Sequence, residues 1–145
     1  MTVKDILNRK GNQVYSIHPH ESVYDAIKKM TDLEIGALVV AEQDTIYGMI
    51  SERDYTSKII LKGRSSASTP VKDIMSKQVF CVSTSDNVHT CMKIMTDKKI
   101  RHLPVLEKGS LAGLISIGDV VKSVIDQQKV EIHTLREYIA GSYPG

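Results

Sequence analysis

Gly48-Met49-Ile50-Ser51-Glu52-Arg53-Asp54 returns 65 residues later as Gly113-Leu114-Ile115-Ser116-Ile117-Gly118-Asp119. Working outward, residues 23–54 align without a gap on residues 88–119, and 13 of the 32 pairs are identical. Further upstream, Val3-Lys4-Asp5-Ile6-Leu7 returns as Val71-Lys72-Asp73-Ile74-Met75, here 68 residues later. The chain is therefore a tandem repeat, the property to establish before any other. The change of offset places a three-residue difference near Arg9-Lys10-Gly11-Asn12, where a surface loop is expected.

Both copies have the same grammar. A short helical lead-in (residues 3–7 and 71–75) precedes a short strand (14–17 and 79–82) and a polar turn. An amphipathic helix follows, with Val23, Ala26, Ile27 and Met30 on one face and Val88, Cys91, Met92 and Met95 repeating it. Ser22 and Asn87 are its expected N-caps. The apolar runs 37–41 and 46–50, and likewise 103–106 and 111–115, flank turns and predict hairpins. Second helices begin at Ser51 and Ser116. Each unit is thus βαββα, and the fold class is α+β. The expected divisions are a first repeat over 1–63, a linker over 64–70, a second repeat over 71–127 and a helical extension over 128–145. A unit of about 60 residues is marginal alone, so the copies are expected to pack with pseudo-twofold symmetry around one shared core. The last helix, from Asp119 to about Ile139, carries a sparse stripe of Val121, Ile125, Gln128, Ile132, Leu135 and Ile139. Nothing in its own repeat covers that stripe, so a second subunit is expected against it.

Composition removes several classes. The 145 residues are 41% hydrophobic and 25% charged, ordinary for a globular chain. One Phe, six Tyr and no Trp make the core aliphatic. No run approaches the roughly 18 apolar residues of a membrane span. A net charge of +2 is too balanced to suggest a membrane or nucleic-acid partner. Lys98-Lys99-Ile100-Arg101-His102 is basic but lacks interleaved aromatics. Cys81, on a strand, and Cys91, on the apolar helix face, have no metal-ligand spacing, and neither do His18 and His20. The N-terminus has no signal pattern, so a cytoplasmic location is expected. Pro104 suggests an edge strand or a bulge.

The doubled Gly-x-Ile-Ser-x-x-Asp has two readings. It is a capping box at a strand-to-helix junction, with Ser as cap and Asp returning the bond. The same junction also suits a ribose or phosphate, because a helix N-terminus offers free N–H groups and partial positive charge. Arg53 is either a phosphate contact or a solvated first-turn residue. His102 is either a pH-sensitive phosphate ligand or a surface histidine.

In their order and repetition, Val-Lys-Asp-Ile-Met, the βαββα unit, Arg101-His102-Leu103-Pro104-Val105 and the doubled motif resemble the CBS domain. Its tandem pairs form Bateman modules, here over residues 1–127, similar to short stand-alone bacterial CBS-pair proteins. The resemblance implies a non-catalytic regulatory module that binds adenosyl ligands such as AMP, ADP, ATP, NAD or S-adenosylmethionine, with no cofactor required. It implies that Asp54 and Asp119 take ribose hydroxyls, with Ser51 and Ser116 beside sugar and phosphate. It points to Ile17 and His18, and to Val82 through Thr84, around adenine, and to Arg101 and His102 on phosphates. Copy one has Gly36 and Ala37 where copy two has Arg101 and His102, but it has Arg53 where copy two has Gly118, so unequal sites are expected. The partners implied are the nucleotide, a second copy in a homodimer and an unidentified effector protein, with the ligand shifting populations of the assembly. Two other readings are a structural dimer module without nucleotide and a nucleotide-processing enzyme, for which no nucleophile, Walker loop or carboxylate cluster speaks.

Overall fold

The computed structural model describes residues 1–11 and 13–140. It contains helix α1 (Val3–Lys10), strand β1 (Ser16–Ile17), helix α2 (Val23–Leu33), and strands β2 (Ala37–Glu42) and β3 (Thr45–Ser51). Helix α3 (Glu52–Tyr55) runs on into a wider π turn over Thr56–Ile60, and a single 3-10 turn spans Val71–Asp73. Strand β4 (Val82–Ser83), helix α4 (Val88–Lys98), strands β5 (His102–Glu107) and β6 (Ser110–Ser116), and helix α5 (Ile117–Ile139) complete the chain. The expected α+β pair is present, with one three-stranded sheet per copy in the orders β1-β2-β3 and β4-β5-β6. In each, the first strand is parallel to the second and the hairpin is antiparallel.

Local chemistry explains these elements. Ser22 accepts the Asp25 N–H and Asn87 the His89 N–H, capping α2 and α4 as expected. Both helices end on a left-handed residue, Glu34 and Lys99. In both hairpins the register slips by one residue, between Val40 and Ala41 and between Val105 and Leu106. These bulges lie just before Gly48 and Gly113. Pro104 is not on an edge strand, because β5 is central. Strand β4 pairs only with Val105 and Leu106, so Pro104 has a neighbour on the β6 side alone and its missing N–H is tolerated there. Only two residues of each expected first strand pair, so Cys81 falls before β4 and is exposed.

The core departs from the expected single body of side chains. Buried residues form two clusters, one built on α2 and β2, the other on α4 and β5. Each is closed by the lead-in of the other copy. Val3, Ile6 and Leu7 belong to the second repeat's cluster, and Val71 and Ile74 to the first repeat's. The backbone repeats this exchange. The Val3 and Lys4 N–H groups donate to Asp86 and Thr84 carbonyls, both at 2.9 Å. The Val71 and Lys72 N–H groups donate to Glu21 and Pro19 at 2.8 and 2.9 Å. The two sets are related by the internal repeat.

The segment expected to be a surface loop is partly helical. Arg9 and Lys10 form the last turn of α1, because they reach across to α5: Arg9 donates to Asp126 at 2.8 Å and to Ser123 at 3.0 Å. Asn12 of that segment, and residues 141–145 of the expected extension, lie outside the described residues.

The exchanged lead-ins explain the motif glycines. A Cβ on Gly48 would sit 2.5 Å from the Ser76 carbonyl oxygen, and one on Gly113 would sit 2.7 Å from Leu7 Cδ2. Gly48→Ala is expected to destabilise by about 1–3 kcal/mol, the range for overpacking. Gly113→Ala is expected to cost less, since a leucine side chain yields more readily than backbone. Urea unfolding of the two variants checks the order.

Candidate functional site

Residues from both repeats meet in one cleft. A cavity of about 760 Å³ is lined by Ser51, Glu52, Arg53, Asp54 and Lys58 of the first repeat and by Phe80, Lys99, Ile100, Arg101 and His102 of the second. Ser76 and Val79, from the segment joining them, also line it. Arg101 and His102, which precede and open β5, were expected to contact phosphates. The pseudo-twofold arrangement turns them also towards the first repeat, where a Cβ on Gly36 would lie 3.7 Å from His102 Cε1.

Asp54 organises the first repeat's side of the cleft. It is 8% exposed. Its Oδ2 accepts the Ser51 N–H at 3.0 Å and the Ser51 hydroxyl at 3.2 Å, while Ser51 Oγ accepts the Asp54 N–H at 3.3 Å. Its Oδ1 faces Lys58 Nζ at 2.9 Å and accepts the Ser76 hydroxyl at 3.5 Å. The capping reading of the motif is therefore realised, and the carboxylate also ties the lead-in of copy two to α3. Four permanent cations line the cavity (Arg53, Lys58, Lys99 and Arg101) against two carboxylates, Glu52 and Asp54. The balance favours an anion.

The second motif has the same cap and a different neighbour. Asp119 Oδ2 accepts the Ser116 N–H at 2.8 Å, and Ser116 Oγ accepts the Asp119 N–H at 3.2 Å. Lys10 Nζ lies 2.6 Å from Asp119 Oδ2 and donates to the Leu114 carbonyl at 2.9 Å. Burial alone would raise the Asp119 carboxyl, but the Lys10 ammonium and the Ser116 amide outweigh it and hold the group below the ordinary carboxylate value. His102 sits between the two motifs. Burial lowers its pKa most, the Lys10 and Arg101 charges lower it further, and Asp119 opposes them. The net shift is downward, favouring the neutral imidazole.

The other expected site residues lie elsewhere. Ile17 and Val82 are buried in the two core clusters. His18 pairs with Glu42 at 3.4 Å and stands beside His20. The Thr84 carbonyl holds Lys4. None of the four lines the cavity. Phe80 and Lys58 do, and the sequence reading missed both. Phe80 falls in the expected strand 79–82, which pairs only from Val82, leaving Phe80 on irregular backbone beside the cleft. Lys98 Nζ lies 5.2 Å from its ring centroid. That it is the only Phe in the chain was the available signal. Among the described residues no group of three or more His, Cys, Asp or Glu could hold a metal, and no helix is long and apolar enough to cross a membrane.

A tandem βαββα pair with exchanged lead-ins and a polar cleft between the copies defines a class of two-repeat modules. The chain belongs to the CBS domain family, whose pattern matches residues 3–60 and 71–126. It is 41% identical to the mitochondrial CBS domain-containing protein CBSX3 of Arabidopsis thaliana, over 98% of this chain and 73% of that protein. A structure of a putative signal-transduction protein with CBS domains from Burkholderia ambifaria is 47% identical, with a TM-score of 0.84, covering 88% of this chain and 96% of that one. The Pyrobaculum aerophilum CBS domain protein PAE2072, solved in complex with AMP, shares the fold at 21% identity and a TM-score of 0.74, with 82% of this chain and 89% of that chain covered.

The Lys10–Asp119 pair generates a pH-dependent prediction. A carboxyl held low in the folded state stabilises above its unfolded pKa, and that contribution is lost as pH falls through the folded value. Both side chains are partly exposed, so Lys10→Met is expected to cost about 1 kcal/mol or less at pH 7. The gap between variant and wild type should begin to close near the unfolded carboxylate value, about pH 4, and go on closing as pH falls through the lower folded value. Thermal melts from pH 7 to pH 3 measure it.

Proposed function

We propose that the protein is a non-catalytic regulatory module that binds an adenine nucleotide in the cleft lined by Asp54, Arg101 and His102. The observation that carries this reading is the meeting of Ser51, Arg53 and Asp54 from one repeat with Arg101 and His102 from the other around a single cationic cavity. Its volume, about 760 Å³, suits a small ligand. In this reading Arg53, Lys99 and Arg101 take the phosphates, Asp54 and Ser51 the ribose hydroxyls, and Val79, Phe80 and Ile100 the base. AMP in the Pyrobaculum relative supports the ligand class. In this reading the sites are unequal because Arg53, Lys99 and Arg101 gather on the Asp54 side, so the Asp54 cleft fills first. The bound state would act on an effector protein by favouring one arrangement of the module.

A second reading has its own observation. Every carboxylate oxygen of Asp54 is already engaged by Ser51, Lys58 or Ser76. A purely structural module without nucleotide would need no more than this.

A thermal-shift series over AMP, ADP, ATP and NAD separates the readings. A ligand at a hundred times Kd should stabilise the fold by about 2.7 kcal/mol. Arg101→Ala, a change at an exposed position, should abolish most of that shift while leaving the unliganded melt unchanged. Absence of any shift supports the structural reading, and a shift indifferent to Arg101→Ala places the ligand outside this cleft. A phosphate beside His102 would raise its pKa, so binding would take up a proton. Affinity is therefore expected to rise as pH falls from 7.5 to 6, and His102→Gln should flatten that dependence. Titration calorimetry in two buffers reads both.

A further inference from the structure

The second half of α5 stands clear of both repeats. From Gln128 to Ile139 every residue is exposed except Glu137, which is half-buried. At 1.5 Å per residue this segment projects about 18 Å. An isolated helix of that length is marginal in water. Its side chains are not all polar: Ile132, Leu135 and Ile139 are 49%, 58% and 75% exposed.

The spacing of the apolar positions identifies what covers them. Val121, Ile125, Gln128, Ile132, Leu135 and Ile139 follow one another at intervals of four, three, four, three and four. Alternating intervals of four and three are the spacing of a heptad seam. The alternation is unambiguous: Ile125, Ile132 and Ile139 occupy a positions, and Val121, Gln128 and Leu135 occupy d positions. Isoleucine occupies every a position, the β-branched choice of parallel two-stranded coils, while the d row holds Val121, Gln128 and Leu135. The flanks agree. Every e position is basic (Lys122, Lys129 and Arg136), and Glu131 is at g. In a parallel dimer Glu131 meets Arg136 of the partner subunit. In an antiparallel dimer the e rows would face each other, cation against cation. The intrahelical pair His133–Glu137, at 2.8 Å, lies on the outer face and leaves these groups available.

We infer that residues 121–139 form a parallel, in-register two-stranded coiled coil with the same helix of a second copy of this chain. This goes beyond a dimer in general, because it names the face, the direction and the register. It does not depend on whether a nucleotide binds.

The test uses the full chain with Cys81→Ser, since Cys91 is buried and Cys81 exposed. Leu135→Cys, at a seam position, should oxidise to a covalent dimer, while Thr134→Cys, on the outer face, should not. Sedimentation equilibrium should show Arg136→Glu weakening the dimer about tenfold. Adding Glu131→Lys to that variant should restore the wild-type value to within a few-fold. Both positions are exposed, so the melt of the monomer body serves as the folding control. Three results would overturn the inference. The first is tighter association of Arg136→Glu, since Glu would then face Lys122 in an antiparallel pair. The second is failure of Leu135→Cys to cross-link. The third is a wild-type chain that is monomeric, or dimeric but indifferent to all of these changes.

Discussion

Everything in this molecule hangs on the exchange of the two lead-ins. Each repeat is too small to bury its own apolar face, and each receives the missing wall from the other. Leu7 presses on Gly113, and Met75 and Ser76 press on Gly48. The motif glycines are required because another part of the chain occupies the space a side chain would need. No flexibility or positive φ is involved at either position. One consequence is mechanical. Neither core is complete without the lead-in of the other repeat. Another is chemical. The chain that arrives with each lead-in continues directly into the polar motif, so the surroundings of Asp54 and Asp119 are set by whatever follows the lead-in.

The two copies diverge at that point. After Val71–Asp73 the second lead-in stops being helical, and Ser76 forms a two-bond bridge with Met49 at 2.8 and 3.0 Å before reaching Asp54. The first lead-in continues as helix through Lys10, carrying an ammonium group to the Asp119 carboxylate. Three extra residues thus let the first lead-in supply a cation to Asp119, whereas Asp54 takes a hydroxyl from its lead-in and its cation, Lys58, from its own repeat. The effect extends to His102, whose pKa is lowered in part by Lys10. The surroundings of the two motifs differ through this backbone path as well as through the residues at Gly36, Arg53 and Gly118.

Local features of the fold were legible in the sequence, and pairings across the repeat were not. The helix faces, the caps at Ser22, Asn87, Ser51 and Ser116, and both hairpins depend on residues within a few positions of one another. An internal alignment exposes them directly. It cannot tell which copy a lead-in packs on, because Val3 and Val71 look the same whether they close their own core or the other one. Hence a single shared core was expected where two crossed ones exist. The same blindness explains Lys10. An insertion between repeats reads as a loop unless its contacts to Asp119 and Leu114 are seen. Phe80 was lost to a different error. Residues 79–82 have strand composition, but β5 offers partners only from Val105 onwards, so the upstream half is released to the cleft wall.

The cleft and the long helix are joined by a single backbone bond. The Arg101 carbonyl accepts the N–H of Ile117, the first residue of α5, at 2.8 Å, and His102 pairs with Ser116, its cap. The first repeat has the matching bond between Gly36 and Glu52, at 3.1 Å. There the residue is glycine, with no side chain for an anion to hold. In the second repeat the same peptide carries the Arg101 side chain into the cavity and anchors α5 through its carbonyl. A rotation of that peptide that improves the guanidinium's approach to an anion also reorients the acceptor at the head of α5. Coupling between sites requires a physical connection of this kind, and here it is one residue long. The asymmetry that places Arg opposite Gly adds a cation to the cleft at the residue whose carbonyl anchors α5, the helix that projects from the body.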